Sequence, residues 1–175
     1  MNIIIPANKN RFPIVLLIFL LFTILLVLNL VYTNPESLFM NGLFQYIFNG
    51  IILAIFLFYT ILFFIDFVKT KFDKKASLTI SDIGLIDNLS IFSCGKVQWN
   101  DINSVELQKS FKVDFLIIKV FDNNKYLIDK NFIQRHILKK YIRKWGSPVV
   151  ISKKRIEYNL EEIKQIILAN KNNLS

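Results

Sequence analysis

The chain has 175 residues, 53% of them hydrophobic, a formal net charge of +9 and a single cysteine. One cysteine excludes an intramolecular disulfide framework. The five glycines form neither GxGxxG nor GxxxxGK followed by Ser or Thr, so the phosphate-cradling loops of nucleotide enzymes are excluded too.

Residues 1–13 read as a cytoplasmic N-terminus carrying Lys9 and Arg11. The first apolar run, Ile14 to Tyr32, has no charge and is interrupted only by Thr23 and Asn29. As a helix it covers roughly 28 Å, close to the ~30 Å hydrocarbon core of a bilayer. The second run, Leu43 to Ile65, covers roughly 35 Å and crosses with some tilt. Both are apolar around the whole helix, as lipid-facing helices are. Residues 14–65 therefore predict a transmembrane helical hairpin, 14–32 and 43–65. The first run is longer than the roughly 7–15 apolar residues of a signal peptide and lacks a small-x-small cleavage site, so it is expected to be retained. Neither run holds an ionisable residue, which argues against a transport pathway. Gln45 and Asn49 share a helix face. They read as a polar rim or as a hydrogen bond to the partner helix.

Basic residues set the orientation. Lys9 and Arg11 precede the hairpin, and Lys69, Lys71, Lys74 and Lys75 follow it. The turn between the runs, Thr33 to Gly42, carries Glu36, no base, and Pro35 to break the helix. Both termini are thus expected in the cytoplasm of a multi-pass inner-membrane protein. Residues 66–75, DFVKTKFDKK, read as a juxtamembrane linker. Its lysines either touch anionic lipid or simply fix topology.

Residues 76–175 predict one small domain with its own core. They carry 16 Lys and Arg against 10 Asp and Glu, a net of +6. Strands are expected at Ser77–Ser81, Leu85–Asn88, Ile91–Ser93, Lys96–Trp99, Ser104–Lys109 and Val113–Phe121, with a turn at Asp82–Gly84. The Val113–Phe121 strand, nearly continuous in apolar residues, should be central. Asp122-Asn123-Asn124 reads as a hairpin turn and Tyr126–Asp129 as the returning strand. Six or so such strands predict an antiparallel barrel or meander, making the chain α+β.

A helix follows over Phe132–Trp145, with Ile133, Ile137, Leu138, Tyr141, Ile142 and Trp145 on its apolar face. Gly146 and Pro148 end it. Val149–Ser152 reads as a short strand. A last helix starts behind Asn159, with Glu162 completing a capping box and Leu160, Ile163 and Ile167 facing inward. Lys171 to Ser175 should fray.

Catalytic chemistry finds little footing. His136 is the one histidine and sits on a basic helix; with Cys94 also alone, a zinc site lacks ligands. Cys94 reads as a small buried residue, His136 as a helix surface residue. No metal or cofactor is expected. The suggestive feature is basic: Lys139, Lys140, Arg143 and Lys144 on one helix, with Lys153, Lys154 and Arg155 after it. These are candidate contacts for anionic lipid headgroups or an acidic partner, against the alternative of a solvated helix face. Tethering at a membrane argues against nucleic acid as the polyanion.

The segment Gly95 to Leu107, GKVQWNDINSVEL, contains Trp99-Asn100-Asp101-Ile102. This resembles the W-x-D-I pattern of bacterial pleckstrin-homology-like (PH-like) domains, and LTISDIGLID resembles their opening hairpin. A two-helix membrane hairpin ahead of such a domain is similar to a group of small bacterial membrane proteins. The resemblance covers Ala76 to Asp129. It implies a seven-stranded bent barrel closed by a helix, with Trp99 and Ile102 packed inside and Asp101 capping the turn. The turn Ser81-Asp82-Ile83-Gly84 lacks the bases that phosphoinositide-binding members carry there, and the Phe132–Trp145 helix is additional to the family pattern.

Three functions are compatible with these features. The first is a non-enzymatic, membrane-anchored PH-like module binding a protein partner or a second copy of itself, assisted by anionic lipid. The second is an immunity-type inhibitor of a membrane-acting toxin. The third, a lipid-modifying enzyme, lacks a convergent acid, base or nucleophile set.

Overall fold

The computed structural model describes residues 2–9, 14–32, 40–73 and 75–172. Arg11, Lys74, most of the expected outer turn with Pro35 and Glu36, and the last three residues of the tail lie outside the described residues. The chain forms two compact units, Phe12–Val68 and a second one made of Met1–Arg11 with Lys69–Ser175.

The first unit holds helix α1 (Ile14–Tyr32) and most of helix α2 (Met40–Phe72). Both are long and apolar enough to cross a membrane. A core helix of that hydropathy would be mostly covered by protein, whereas the most apolar windows here are only 11% and 6% buried. The two helices meet through their few polar side chains. Thr23 and Thr60 share a hydroxyl hydrogen bond of 3.3 Å, and Asn49 Nδ2 donates to Asn29 Oδ1 at 3.2 Å. The Asn49 contact is one of the two outcomes expected for that position. Between them Phe19 packs on Phe56, Tyr59 and Phe63, with ring centroids 5.3 to 5.9 Å apart. Positions that rise along α1 meet positions that fall along α2, so the helices pair antiparallel.

The second unit is built from two antiparallel sheets. Strand β1 (Ile3–Pro6) opens a four-stranded sheet with β2 (Ser77–Ser81), β3 (Gly84–Asp87) and β4 (Gly95–Gln98), in that order. Strands β5 (Ile102–Ser110), β6 (Val113–Val120) and β7 (Val149–Ser152) form a three-stranded sheet. Helix α3 (Phe132–Trp145) connects β6 to β7, and helix α4 (Leu160–Asn172) follows β7 and packs on β5 and β6. Leu78, Ile80, Leu85, Val97, Ile102, Leu116 and Ile118 fill the core, and Leu160, Ile163 and Ile167 close it from α4.

Several sequence expectations change here. The sheets do not close into a barrel. Continuity breaks at the 3-10 turn Trp99–Asp101, where Trp99 is buried and its Nε1–H donates to the Ser81 carbonyl at 2.9 Å. Among the described residues, an isolated bridge between Ala7 and Ile156 links the far edges. Residues 1–13 are not a bare flank: β1 pairs Ile3 with Ile80 through Pro6 with Ser77, and Ile5 and Ala7 join the core. Much of the expected linker is the end of α2.

Two expected strands are absent for local reasons. Ile91–Ser93 is a turn, because Asp87, Ser90 and Ser93 side chains accept the amides of Leu89, Phe92 and Ser90. Tyr126–Asp129 does not return along β6. Asn124–Leu127 is a 3-10 turn, and the partner of β6 is β7, with Phe115 opposite Ser152. The capping box lies on α3, where Asn131 and Gln134 satisfy each other's amides, while Asn159 caps α4 through the Glu161 amide. Gly84 is a required glycine: at φ +144° an added Cβ would lie 2.1 Å from the Val97 carbonyl oxygen.

Trp99 and Trp145, the only tryptophans, both sit buried in this unit and report on its unfolding. Ile5→Ala should destabilise the full chain in detergent by about 2–5 kcal/mol, as buried Ile truncations do. Ile4→Ala, at a position 66% exposed, should stay within about 0.5 kcal/mol. Equal, small effects at both would mean that β1 is not part of the core.

Candidate functional site

The expected basic contact residues divide among three settings. Lys139, Lys140 and Arg143 stand exposed on α3, opposite the buried Leu138 and Trp145. Lys144 turns instead to the tip of the β5–β6 hairpin. Its Nζ lies 4.6 Å above the Trp145 ring and 5.6 Å from the Phe111 ring, and donates to Ser110 Oγ at 3.3 Å. Lys153 spends its charge locally, donating to the carbonyls of Tyr158 at 2.7 Å and Glu157 at 3.4 Å. Lys154 is exposed. Arg155 is half-buried and lines a small internal cavity, so it is not part of an open basic face.

That cavity, bordered by Asp87, Ser90, Ser93, Tyr141 and Arg155, measures about 10 Å³. This is room for one water molecule and no more. Asp87, 5% exposed, accepts from the Leu89 amide at 3.2 Å and from Ser93 Oγ at 2.8 Å. Burial pushes its carboxyl above the ordinary range, and the Ser93 hydroxyl, the Leu89 amide and the Arg155 charge pull it back only in part. Cys94, beside it, is 2% exposed; burial and the Asp87 charge push its thiol up to about 12. A thiol in that state is not a nucleophile at neutral pH, which agrees with its expected role as a small buried residue. His136 is exposed on α3.

The W-x-D-I residues behave as a joint between the sheets. Trp99 and Ile102 are buried at 5% and 0% exposure. Asp101 does not cap its own turn. Its Oδ2 accepts from Lys125 Nζ at 2.7 Å and from Tyr126 Oη at 2.6 Å, tying the β4–β5 corner to the segment after β6. Those two bonds hold its carboxyl below the ordinary range. Glu106 is likewise held low by Lys119 at 2.6 Å. The sequence pattern pointed to Asp101 but not to its partners, which lie 24 and 25 residues further along the chain.

Arg135, in the first turn of α3, donates to the carbonyls of Leu127, Ile128 and Lys130 and fixes the loop ahead of the helix. Lys69, expected as a topology flank, donates to Asn88 Oδ1 at 2.7 Å and the Ser90 carbonyl at 3.1 Å. The Lys69 contacts have no local sequence signal, since they join positions 19 and 21 residues apart. No protein-family model, curated protein or solved structure matches this chain.

The two aspartates predict opposite pH dependences. The fold favours ionised Asp101, so its contribution is full above the ordinary carboxylate pKa of about 4 and is lost as pH falls through the lower folded value. The fold favours protonated Asp87, so stability is full below that ordinary value and is lost as pH rises through the higher folded one. Asp101→Asn should therefore lower the unfolding midpoint at neutral pH, with the gap closing in acid. Asp87→Asn keeps an acceptor oxygen and should gain on wild type as pH rises. Tryptophan-monitored melts across pH check both; parallel curves for wild type and Asp87→Asn would contradict the buried-charge assignment.

Proposed function

We propose that this chain is a non-enzymatic, membrane-anchored PH-like binding module at the inner face of a bacterial cytoplasmic membrane. It engages a protein partner, or a second copy of itself, with help from anionic headgroups. One observation carries the anchoring part. The chain leaves its sheet after Ala7, passes through two apolar helices and re-enters the same folded unit at Lys69. A folded unit cannot be divided by a bilayer, so two crossings must return to the side they left. Lys9, Lys69, Lys71 and Lys75 flank those crossings and favour the cytoplasm.

The PH-like part is supported by seven strands in sheets of four and three, a tryptophan corner between them, and a C-terminal helix over the core. In this reading β1 is the first strand, and the membrane hairpin occupies the connection between the first and second strands. The segment LTISDIGLID is then the second hairpin of the domain and not its opening one.

The binding part is supported by how the ionisable groups are used. Asp87, Asp101, Glu106 and Cys94 are committed to internal bonds or buried, whereas Lys139, Lys140 and Arg143 remain turned outward. Exposed bases on a packed helix suit an acidic surface. A fragment starting at Ala76 would lack Ile5 and Ala7 of the core, so partner searches need the full chain.

The reading is tested in intact cells with single cysteines at Lys9 and Glu36, labelled by a membrane-impermeant maleimide. Glu36→Cys should label from outside and Lys9→Cys only after permeabilisation. Photo-cross-linking from Lys140 and Arg143 should then yield a discrete partner or dimer band that disappears on charge reversal at those positions. Labelling of both cysteines from outside, or of neither before lysis, would refute the orientation. No cross-link from the α3 face would refute the binding assignment.

A further inference from the structure

The β5–β6 hairpin turns in two residues, with Ser110 paired to Val113. Its turn residues are Phe111 and Lys112, at φ 48° and 60°. Such a turn requires left-handed backbone at both positions and is normally made by Asn-Gly or Asp-Gly. A bulky aromatic there is a backbone outlier, and outliers of this kind persist where the side chain serves something beyond the fold. Phe111 contributes nothing to the core: it is 94% exposed, the most exposed of the large hydrophobic side chains described.

Its surroundings are basic. Lys144 Nζ lies 5.6 Å from the ring, and Lys112 is the neighbouring turn residue. Lys109 stands one position before Ser110, opposite Asp114, the acid at this end of the hairpin. An exposed aromatic tip flanked by lysines is the chemistry of a bilayer interface. The ring sits at headgroup level while the ammonium groups reach lipid phosphates.

We infer that the Phe111–Lys112 tip is a membrane-inserting finger that docks on an anionic bilayer surface. The inference rests on the anchoring proposed above, which keeps such a surface within reach of the domain. A bilayer is favoured over a protein because a two-residue tip offers little area, whereas a stable protein interface needs an extended complementary face.

The test uses the full chain with Val113→Cys, beside the turn, carrying an environment-sensitive fluorophore; Cys94, 2% exposed, stays out of reach of the label. The protein is reconstituted into nanodiscs of phosphatidylcholine alone and of phosphatidylcholine with phosphatidylglycerol. We expect blue-shifted emission, and quenching by spin-labelled acyl chains, in the anionic discs only. Added salt and the pair Lys112→Glu with Lys144→Glu should each reverse it. Phe111→Asn should also abolish the shift, although Asn suits the left-handed turn and should leave the melting midpoint equal or higher. Loss of signal in that variant is therefore not loss of the fold. Incorporated protein whose label responds identically in both discs and in detergent overturns the finger alone. A shift produced only by adding a second protein also overturns it, in favour of a protein interface. Protein that cannot be incorporated into discs overturns the anchoring reading and the finger together.

Discussion

Four residue pairs, Ile3–Ile80 through Pro6–Ser77, decide how the rest of this molecule is arranged. They join a segment ahead of the apolar helices to a strand after them. The two helices therefore form an insertion within a sheet, not a prefix to a domain. Pro6 tolerates its place because β1 is the edge strand, where a missing N–H costs no ladder bond. Ile5 and Ala7 still reach the core, and the Asn8 amide bonds the Arg155 carbonyl at 2.8 Å. The chain just beyond the strand is thus tied to the end of the other sheet through Ala7 and Asn8.

The second joint is the Trp99–Asp101 corner. Trp99 binds back to β2 through the Ser81 carbonyl, and Asp101 reaches forward to Lys125 and Tyr126. One three-residue turn therefore couples the four-stranded sheet, the three-stranded sheet and the loop leading to α3. Lys69 plays a comparable part at the far end of α2, since its bonds to Asn88 and Ser90 fix the loop that Asp87 organises from inside. Contacts of this kind hold loops in place, while Lys139, Lys140 and Arg143 stay exposed on α3.

Much of this was legible in the sequence. Long uncharged apolar runs marked both long helices, and period-3.6 patterning with its glycine stop marked α3 to its observed ends. Trp99 and Ile102 were found through a short motif. Some of the failures depend on distant partners and others on local side-chain chemistry. Ile3–Pro6 is too short to stand out as a strand, and its partner lies more than 70 positions away. Asp122-Asn123-Asn124 has hairpin chemistry, yet Tyr126 is drawn to Asp101 and a 3-10 turn results. The real hairpin turn, Phe111-Lys112, carries none of the usual turn residues and so gave no signal. The basic residues were all visible, but their composition did not reveal that Lys144, Lys153 and Arg155 point to three different neighbours.

The same geometry links fold to proposed function, because one folded unit holds both ends of the segment that carries the two candidate membrane-spanning helices. The most direct measurement is a cross-link between Ile4→Cys and Thr79→Cys, which stand opposite each other in register. Directly paired strand positions are within reach of a disulfide or a short dithiol reagent. In full-length protein kept in its native membrane, oxidation should give a monomeric species of altered mobility that needs both cysteines and reverts on reduction. Absence of that species, or cross-links formed only between copies, would contradict the inserted-hairpin architecture.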